Sequence, residues 1–273
     1  MPPIHDFTLR GCHALITGAS SGLGAEFARQ LAPLANSLHL VARRVELLHS
    51  LRSQLLQAHP GLQVEIHLAD LADPTQRRRL IAELVERRLP LNLLINNAGV
   101  GDYGSISSAD WERLEAMMQI NMLALVELSH GLLPLLLNQA PSRILQVGSL
   151  AGSMPLPGFA LYAASKGFVR QFSEALNLEC ESQGLRVTCL CPGPTPTEFS
   201  RHARREQGGD TDRRGHGLLR QAPEQVVAAG LRGVQRAAAC VHPGLGVWLL
   251  ARLCQFIPMS LLRRVLRWRH QSH

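Results

Sequence analysis

The sequence predicts an α/β fold: a doubly wound parallel sheet of about seven strands, helices on both faces, and a C-terminal helical extension. Two observations predict it. Short apolar runs alternate with amphipathic helical patterns along most of the chain, the order that repeated βα units produce. Those runs are also too apolar to face water on either side, which marks a parallel sheet covered by helices. At 273 residues and 46% hydrophobic, the chain can bury the core of one large domain. Residues 1–273 are therefore read as a single unit.

Taken in order, residues 12–17 form a short apolar strand that runs into Thr17-Gly18-Ala19-Ser20-Ser21-Gly22-Leu23-Gly24, with an amphipathic helix over 25–34. A strand, then glycines, then a helix start is what a dinucleotide pyrophosphate needs, because glycines admit the phosphates and the helix N-terminus supplies free N–H groups. Residues 37–42 are a second strand ending in Arg43-Arg44. An acid near this point would hold the ribose 2′-OH of NAD. Arginine can pair instead with a 2′-phosphate, so NADP(H) is the expected cofactor. A helix follows over 45–59, and a third, alternating strand over 63–68 leads to Asp70-Leu71. The next helix carries Arg77-Arg78-Arg79, read as a solvated face. Residues 91–95 are a fourth strand before Asn96-Asn97-Ala98-Gly99, and one long apolar helix is expected over 108–138. Residues 143–149 are a fifth strand closed by Ser149. A Gly/Pro-rich loop then leads to a helix ending near Gln183, with Gly184 as its stop. Residues 186–191 are a sixth strand before Pro192-Gly193-Pro194, and 238–242 a short seventh.

That last long helix carries Tyr162 and Lys166, four residues apart and so on one face. Lys166 is the sole lysine, and Tyr162 one of two tyrosines. An ammonium is a compact point charge that can fit where a guanidinium cannot.

The net charge of +7 is uneven, since residues 201–273 carry 13 basic and 4 acidic side chains. A basic tail alone does not make a nucleic-acid binder, and no nucleic acid is expected as a partner. The N-terminus lacks the apolar core of a secretory signal, and no apolar stretch is long enough to span a bilayer. The six cysteines show no C-x-x-C spacing. Cys189 and Cys191 point the same way on a buried strand and are read as core packing, with no metal site expected.

Together these motifs resemble the short-chain dehydrogenase/reductase family over about residues 10–242, because they occur in that family's order: Thr17 to Gly24, Asp70, Asn96 to Gly99, Asn121, Ser149, Tyr162-x-x-x-Lys166 and Pro192-Gly193. The resemblance implies a Rossmann-type, NADP-preferring ketoreductase. Gly18, Gly22 and Gly24 would shape the pyrophosphate turn, flanked by Leu23, with Ser20 donating to a phosphate. Arg43, with Arg44, would meet the 2′-phosphate. Asp70 would bond the adenine and Leu71 flank it. Asn97 and Gly99 would line the ribose side, and Thr195 or Thr197 would close on the nicotinamide beyond Pro192 and Gly193. Tyr162 would act as general acid in reduction and base in oxidation, its pKa lowered by Lys166 and the oxidised nicotinamide. Lys166 would also hold the nicotinamide ribose, Ser149 would donate to the substrate oxygen, and Asn121 would hold a water of a proton relay. The family also implies a homodimer or homotetramer.

Residues 195–222, rich in Arg, Gly and polar side chains, are read as a flap over the substrate pocket. Met154, Phe159 and Phe199 are candidate pocket residues, which points to an apolar carbonyl or alcohol substrate. Residues 244–273 are apolar and basic; they are read as a helix pair packed on the domain or across a dimer, as a membrane-surface anchor, or as a dock for an acidic partner. The expected location is the cytoplasm, with peripheral membrane contact through this tail as an option. The competing function is a non-catalytic NADPH-binding regulator or membrane-associated protein of the same fold.

Overall fold

The computed structural model describes residues 7–203 and 219–264. Its centre is a seven-stranded sheet in the order β3-β2-β1-β4-β5-β6-β7, every pair parallel. The strands are β1 (His13–Thr17), β2 (Ser37–Ala42), β3 (Gln63–Leu68), β4 (Leu93–Asn96), β5 (Ser142–Val147), β6 (Leu185–Leu190) and β7 (Cys240–Val241). Every residue of β2, β4 and β5 is buried, whereas the edge strand β3 buries only Val64 and His67. The order reverses between β1 and β4, and in such sheets ligands bind outside the carboxyl ends of the strands at that reversal.

Helices α1 (Gly22–Leu31), α2 (Val45–Ala58) and α9 (Pro223–Gln235) cover one face. Phe27, Leu31, Leu48, Leu55, Val226 and Val234 fill its core. Helices α3 (Pro74–Glu86), α5 (Leu125–Gly131), α6 (Leu133–Asn138) and α7 (Ala160–Cys180) cover the other, with Leu80, Leu84, Leu128 and Leu136 inside. The stop at Gly184 is as expected: its φ of 83° is left-handed, which glycine adopts without the Cβ penalty.

The long helix expected over 108–138 is broken. It consists of α4 (Trp111–Met118), a six-residue π-turn (Gln119–Ala124), α5 and α6. The widened turn lets Asn121 face inward: its amide oxygen accepts from Val100 N at 2.9 Å, and its Nδ2 donates to Val100 O at 2.9 Å and Ser165 Oγ at 3.1 Å. Such π-turns concentrate at functional sites. Pro134 then forces the α5–α6 break, since proline cannot donate inside a helix.

The arginine run is also partly corrected, since Arg77 is 1% exposed. Of the proposed flap, 195–203 and 219–222 are described. They include α8 (Glu198–His202), and the middle of the flap lies outside the described residues. The tail forms α10 (Leu245–Phe256) and a helical stretch over 259–264, while Val265, Leu266, Arg267 and Trp268 lie outside the described residues. α10 packs Val247 and Ala251 against Leu150. No helix among the described residues is long and apolar enough to cross a membrane.

Candidate active site

The glycine loop is shaped by backbone and by close approach. Gly18 and Gly22 have φ of 65° and 55°, a region that L side chains avoid. A Cβ on Gly24 would lie 2.2 Å from Gly18 O, so helix and strand meet there only without a side chain. Asn97 braces the loop, its Nδ2 donating to Thr17 O at 2.9 Å, while Thr17 Oγ1 accepts from Asn97 N and Ala98 N at 3.0 Å each. Ser21 at the start of α1 makes no side-chain cap. The first N–H groups of that helix are therefore free of a side-chain partner and suited to a phosphate. This cradle fits a dinucleotide.

At the end of β2 the arginines take different partners. Arg43 Nη1 donates to Asp70 Oδ2 at 3.3 Å, and Asp70 Oδ1 in turn accepts from Ala72 N at 2.9 Å. Arg44 reaches the glycine loop, its Nη2 donating to Ser20 Oγ at 3.1 Å and Ser21 Oγ at 2.6 Å. Its Nη1 donates to Glu198 Oε2 at 3.0 Å, and the guanidinium and Ser21 hold the Glu198 carboxyl below its usual pKa. The Ser21 hydroxyl and a guanidinium thus already hold one carboxylate. Beside them Thr197 lies against Gly22, where a Cβ would come 3.3 Å from Thr197 Cβ. Thr195 Oγ1 donates to Gly193 O at 3.1 Å, and Pro192 O accepts from Leu150 N at 2.8 Å.

The candidate catalytic side chains meet at the carboxyl end of β5. Tyr162 and Lys166 are 8% and 4% exposed. Lys166 Nζ donates to Val147 O at 2.8 Å and stands 5.8 Å from the Tyr162 ring centre. Ser149 stands beside the Tyr162 phenol and acts to lower its pKa, and its Oγ accepts from Ala151 N at 3.1 Å. A Cβ on Gly99 would lie 3.3 Å from Asn121 Oδ1 and 3.4 Å from Lys166 Nζ, so Gly99 leaves the space over both open.

Burial pushes the Tyr162 phenol above its usual value of about 10, Ser149 acting weakly the other way. The same burial pushes the Lys166 ammonium down to about 8. The lowering expected from Lys166 together with the oxidised nicotinamide is not seen in the chain alone, where desolvation outweighs the influence of Ser149.

Above this floor lies an aromatic stack. Ring centres of Tyr103 and Phe159 are 3.8 Å apart, those of Phe159 and Tyr162 4.1 Å, and those of Tyr162 and Phe199 5.4 Å. Phe159 and Phe199 thus join the stack on Tyr162, while Met154, half-buried, lies outside this cluster. A cavity of about 250 Å³ opens beside Phe159, lined by Ile106, Leu114, Pro157 and Leu161 among others, but not by Tyr162 or Ser149. Three participants escaped the sequence reading. Val147 acts through a backbone carbonyl, which no side-chain pattern announces. Ser165 and Glu198 are polar residues on helices, and only the fold gives them partners.

The family described as short chain dehydrogenase matches residues 12–208. Sulfoacetaldehyde reductase 2 of Chromohalobacter salexigens is 38% identical over 193 residues, 68% of this chain and 73% of that protein. The very-long-chain 3-oxoacyl-CoA reductase of Podospora anserina is 31% identical over 233 residues, 84% of this chain and 65% of that protein. A solved short-chain dehydrogenase from Sphingobium yanoikuyae in complex with NADPH is 30% identical with a TM-score of 0.76, covering 94% of this chain and 95% of that one. The chain belongs to the short-chain dehydrogenase family. It is an oxidoreductase of the general type that moves hydride between a nicotinamide dinucleotide and a carbonyl or alcohol.

Proposed function

We propose that this chain is an NADP(H)-dependent ketoreductase acting on apolar ketones or the matching secondary alcohols. One observation carries the reading: a buried phenol beside a serine, one helical turn from a buried ammonium, at the carboxyl edge of the sheet. When bound, the cofactor supplies or accepts the hydride. The chain's own groups do the rest. Ser149 donates to the carbonyl oxygen and stabilises its developing charge. Tyr162 Oη gives the proton in reduction and takes it in oxidation. Lys166 holds the nicotinamide ribose and, with its pKa near 8, exchanges protons close to neutrality. Asn121, fixed by Val100 and Ser165, orients a water that links Lys166 to solvent.

The NADP preference is supported by Arg43 and Arg44 at the end of β2, where no acid stands to hold a 2′-OH. An apolar substrate is supported by the Phe159 and Phe199 rings stacked against Tyr162. These suit an acyl chain or ring better than a small charged aldehyde.

A panel of aliphatic, ring and acyl-chain ketones with NADPH, followed by nicotinamide absorbance, tests the reading. Tyr162→Phe should keep NADPH binding and lose turnover by about 10² to 10⁴. Turnover near wild type in that variant removes Tyr162 from the proton-transfer role. NADPH binding by the wild-type chain without turnover of any carbonyl favours the non-catalytic regulator. In the same assay Arg43→Ala should weaken NADPH far more than NADH, and equal weakening defeats the 2′-phosphate assignment.

A contact surface on α10 belongs to the same reading. Leu245, Trp248, Leu249, Leu253 and Phe256 are exposed along one stripe, with Arg252 over the Trp248 ring. The stripe is read as a subunit contact in a homodimer or homotetramer. Leu249→Glu with Leu253→Glu should then lower the mass measured by light scattering. An unchanged mass together with lost binding to anionic vesicles assigns the stripe to a membrane surface instead.

A further inference from the structure

The pairing of β6 with β7 makes a juxtaposition that the hydride chemistry does not use. The register sets Cys189 opposite Cys240 and Leu190 opposite Val241. Residues two apart on a strand share a face. Cys189 and Cys191 on one strand, with Cys240 and His242 on its neighbour, therefore stand at four corners of one face. The ligating atoms of three of them converge, and Cys189 adjoins them through Cys191. Cys189 Sγ lies 3.6 Å from Cys191 Sγ, Cys191 Sγ 3.9 Å from Cys240 Sγ, and Cys240 Sγ 3.7 Å from His242 Nδ1. The donor atoms of Cys191, Cys240 and His242 all lie within 4.8 Å of one another.

These separations have a specific meaning. Zinc binds thiolate sulfur at about 2.3 Å and imidazole nitrogen at about 2.0 Å in a tetrahedron, which sets ligand-to-ligand edges of about 3.8 Å and about 3.5 Å. The three edges measured here fall within a few tenths of an ångström of those values. Disulfide sulfurs would instead be about 2.0 Å apart. The ligand types agree as well, since three thiols and an imidazole form a soft, closed set of the structural kind. Room for the sulfurs comes from Gly148, where a Cβ would sit 3.0 Å from Cys189 Sγ and 3.2 Å from Cys191 Sγ. Access comes from the edge: Cys191 is buried, but Cys240 and His242 are half-buried.

We propose that Cys191, Cys240 and His242 bind one zinc ion between β6 and β7, with Cys189, whose Sγ lies 3.6 Å from Cys191 Sγ, turning in as the fourth ligand. With four protein ligands the ion has no open position, so its role is structural. β7 is two residues long, and a metal clip would pin it to the strand that leads into Pro192-Gly193. The same cluster packs under Val169 and Phe168 of α7, the helix that carries Tyr162 and Lys166, so the clip would also steady the catalytic floor.

The test uses the full, untagged chain. Cobalt(II) added to the metal-free protein should give thiolate-to-cobalt charge-transfer absorption and the intense visible bands of a tetrahedral site, saturating near one equivalent and displaced by zinc. Cys240→Ser should weaken cobalt binding at least about tenfold, the scale of losing one ligand shell contact, while Cys254→Ser, outside the cluster, should leave it unchanged. A second measurement needs no variant: zinc should protect the half-buried Cys240 from maleimide in the wild-type chain but not Cys254, as read by peptide mass spectrometry. Absence of the charge-transfer band, a band that survives Cys191→Ser with Cys240→Ser, or equal labelling with and without zinc overturns the proposal.

Discussion

Arg77 is a fully buried guanidinium in a protein whose other named arginines mostly face water. Its Nε pairs with Glu127 at 2.5 Å, its Nη1 donates to Leu71 O at 2.7 Å, and its Nη2 donates to Gln119 Oε1 at 3.1 Å. One side chain therefore joins the segment beside Asp70 to the first residue of the π-turn that holds Asn121. Removing it leaves the Leu71 carbonyl and Gln119 Oε1 without this donor and Glu127 without its cation. Arg77→Met should cost about 2–4 kcal/mol in urea unfolding, below the full penalty for a buried pair because Glu127 is partly exposed. A loss under 0.5 kcal/mol, about that of an ordinary surface change, would show that the network carries no weight. The triple-arginine run read as a solvated face, and for Arg78 and Arg79 it is one. The missed signal was periodicity: positions 77, 80 and 84 fall on one helical face, and the other two are buried leucines. By contrast Ser149, Tyr162 and Lys166 were legible because their chemistry resides in side-chain type and spacing.

Between elements, α8 and the glycine loop share a charged contact that a phosphate must displace. Arg44 cannot serve Glu198 and a 2′-phosphate in the present geometry at once. Partly exposed pairs of this kind are worth about 0.2–1 kcal/mol, so Glu198→Gln should tighten NADPH binding about two- to fivefold by fluorescence titration. Unchanged or weaker binding would mean that the pair and the cofactor do not compete. The β2–β3 seam carries a different charge effect. His39 Nδ1 lies 3.1 Å from His67 Nε2, and burial, then the neighbouring His67, pushes His39 down to about 4. A group lowered in the folded state contributes stability above its unfolded value of about 6.5, and that stability is lost as pH falls through 4. The loss amounts to about 3 kcal/mol. Urea unfolding at pH 7 and pH 4 should show it in wild type and a flatter profile in His39→Leu; parallel profiles would clear His39. Neither contact was legible in the sequence, because each joins residues far apart in the chain. The break in the helix expected over 108–138 was hidden for another reason: a π-turn inserts one residue without changing the apolar composition around it.

Across the whole molecule, the parallel sheet was the most legible feature, since strands buried on both faces leave uniformly apolar runs that no other arrangement tolerates. Pairing order was not legible, and it decides what meets at the far edge. Cys189 and Cys191 pack in the core as their sequence suggests, and only the β6–β7 register sets Cys240 and His242 beside them. The sole lysine has a use of its own. An acylating reagent finds one side-chain amine in the entire polypeptide, and the fold hides it at 4% exposure beneath the cofactor cleft. Modification at Lys166, read by mass spectrometry, is thus a clock on the opening of the catalytic floor, one event per molecule, and any dinucleotide that seats against that amine should slow it.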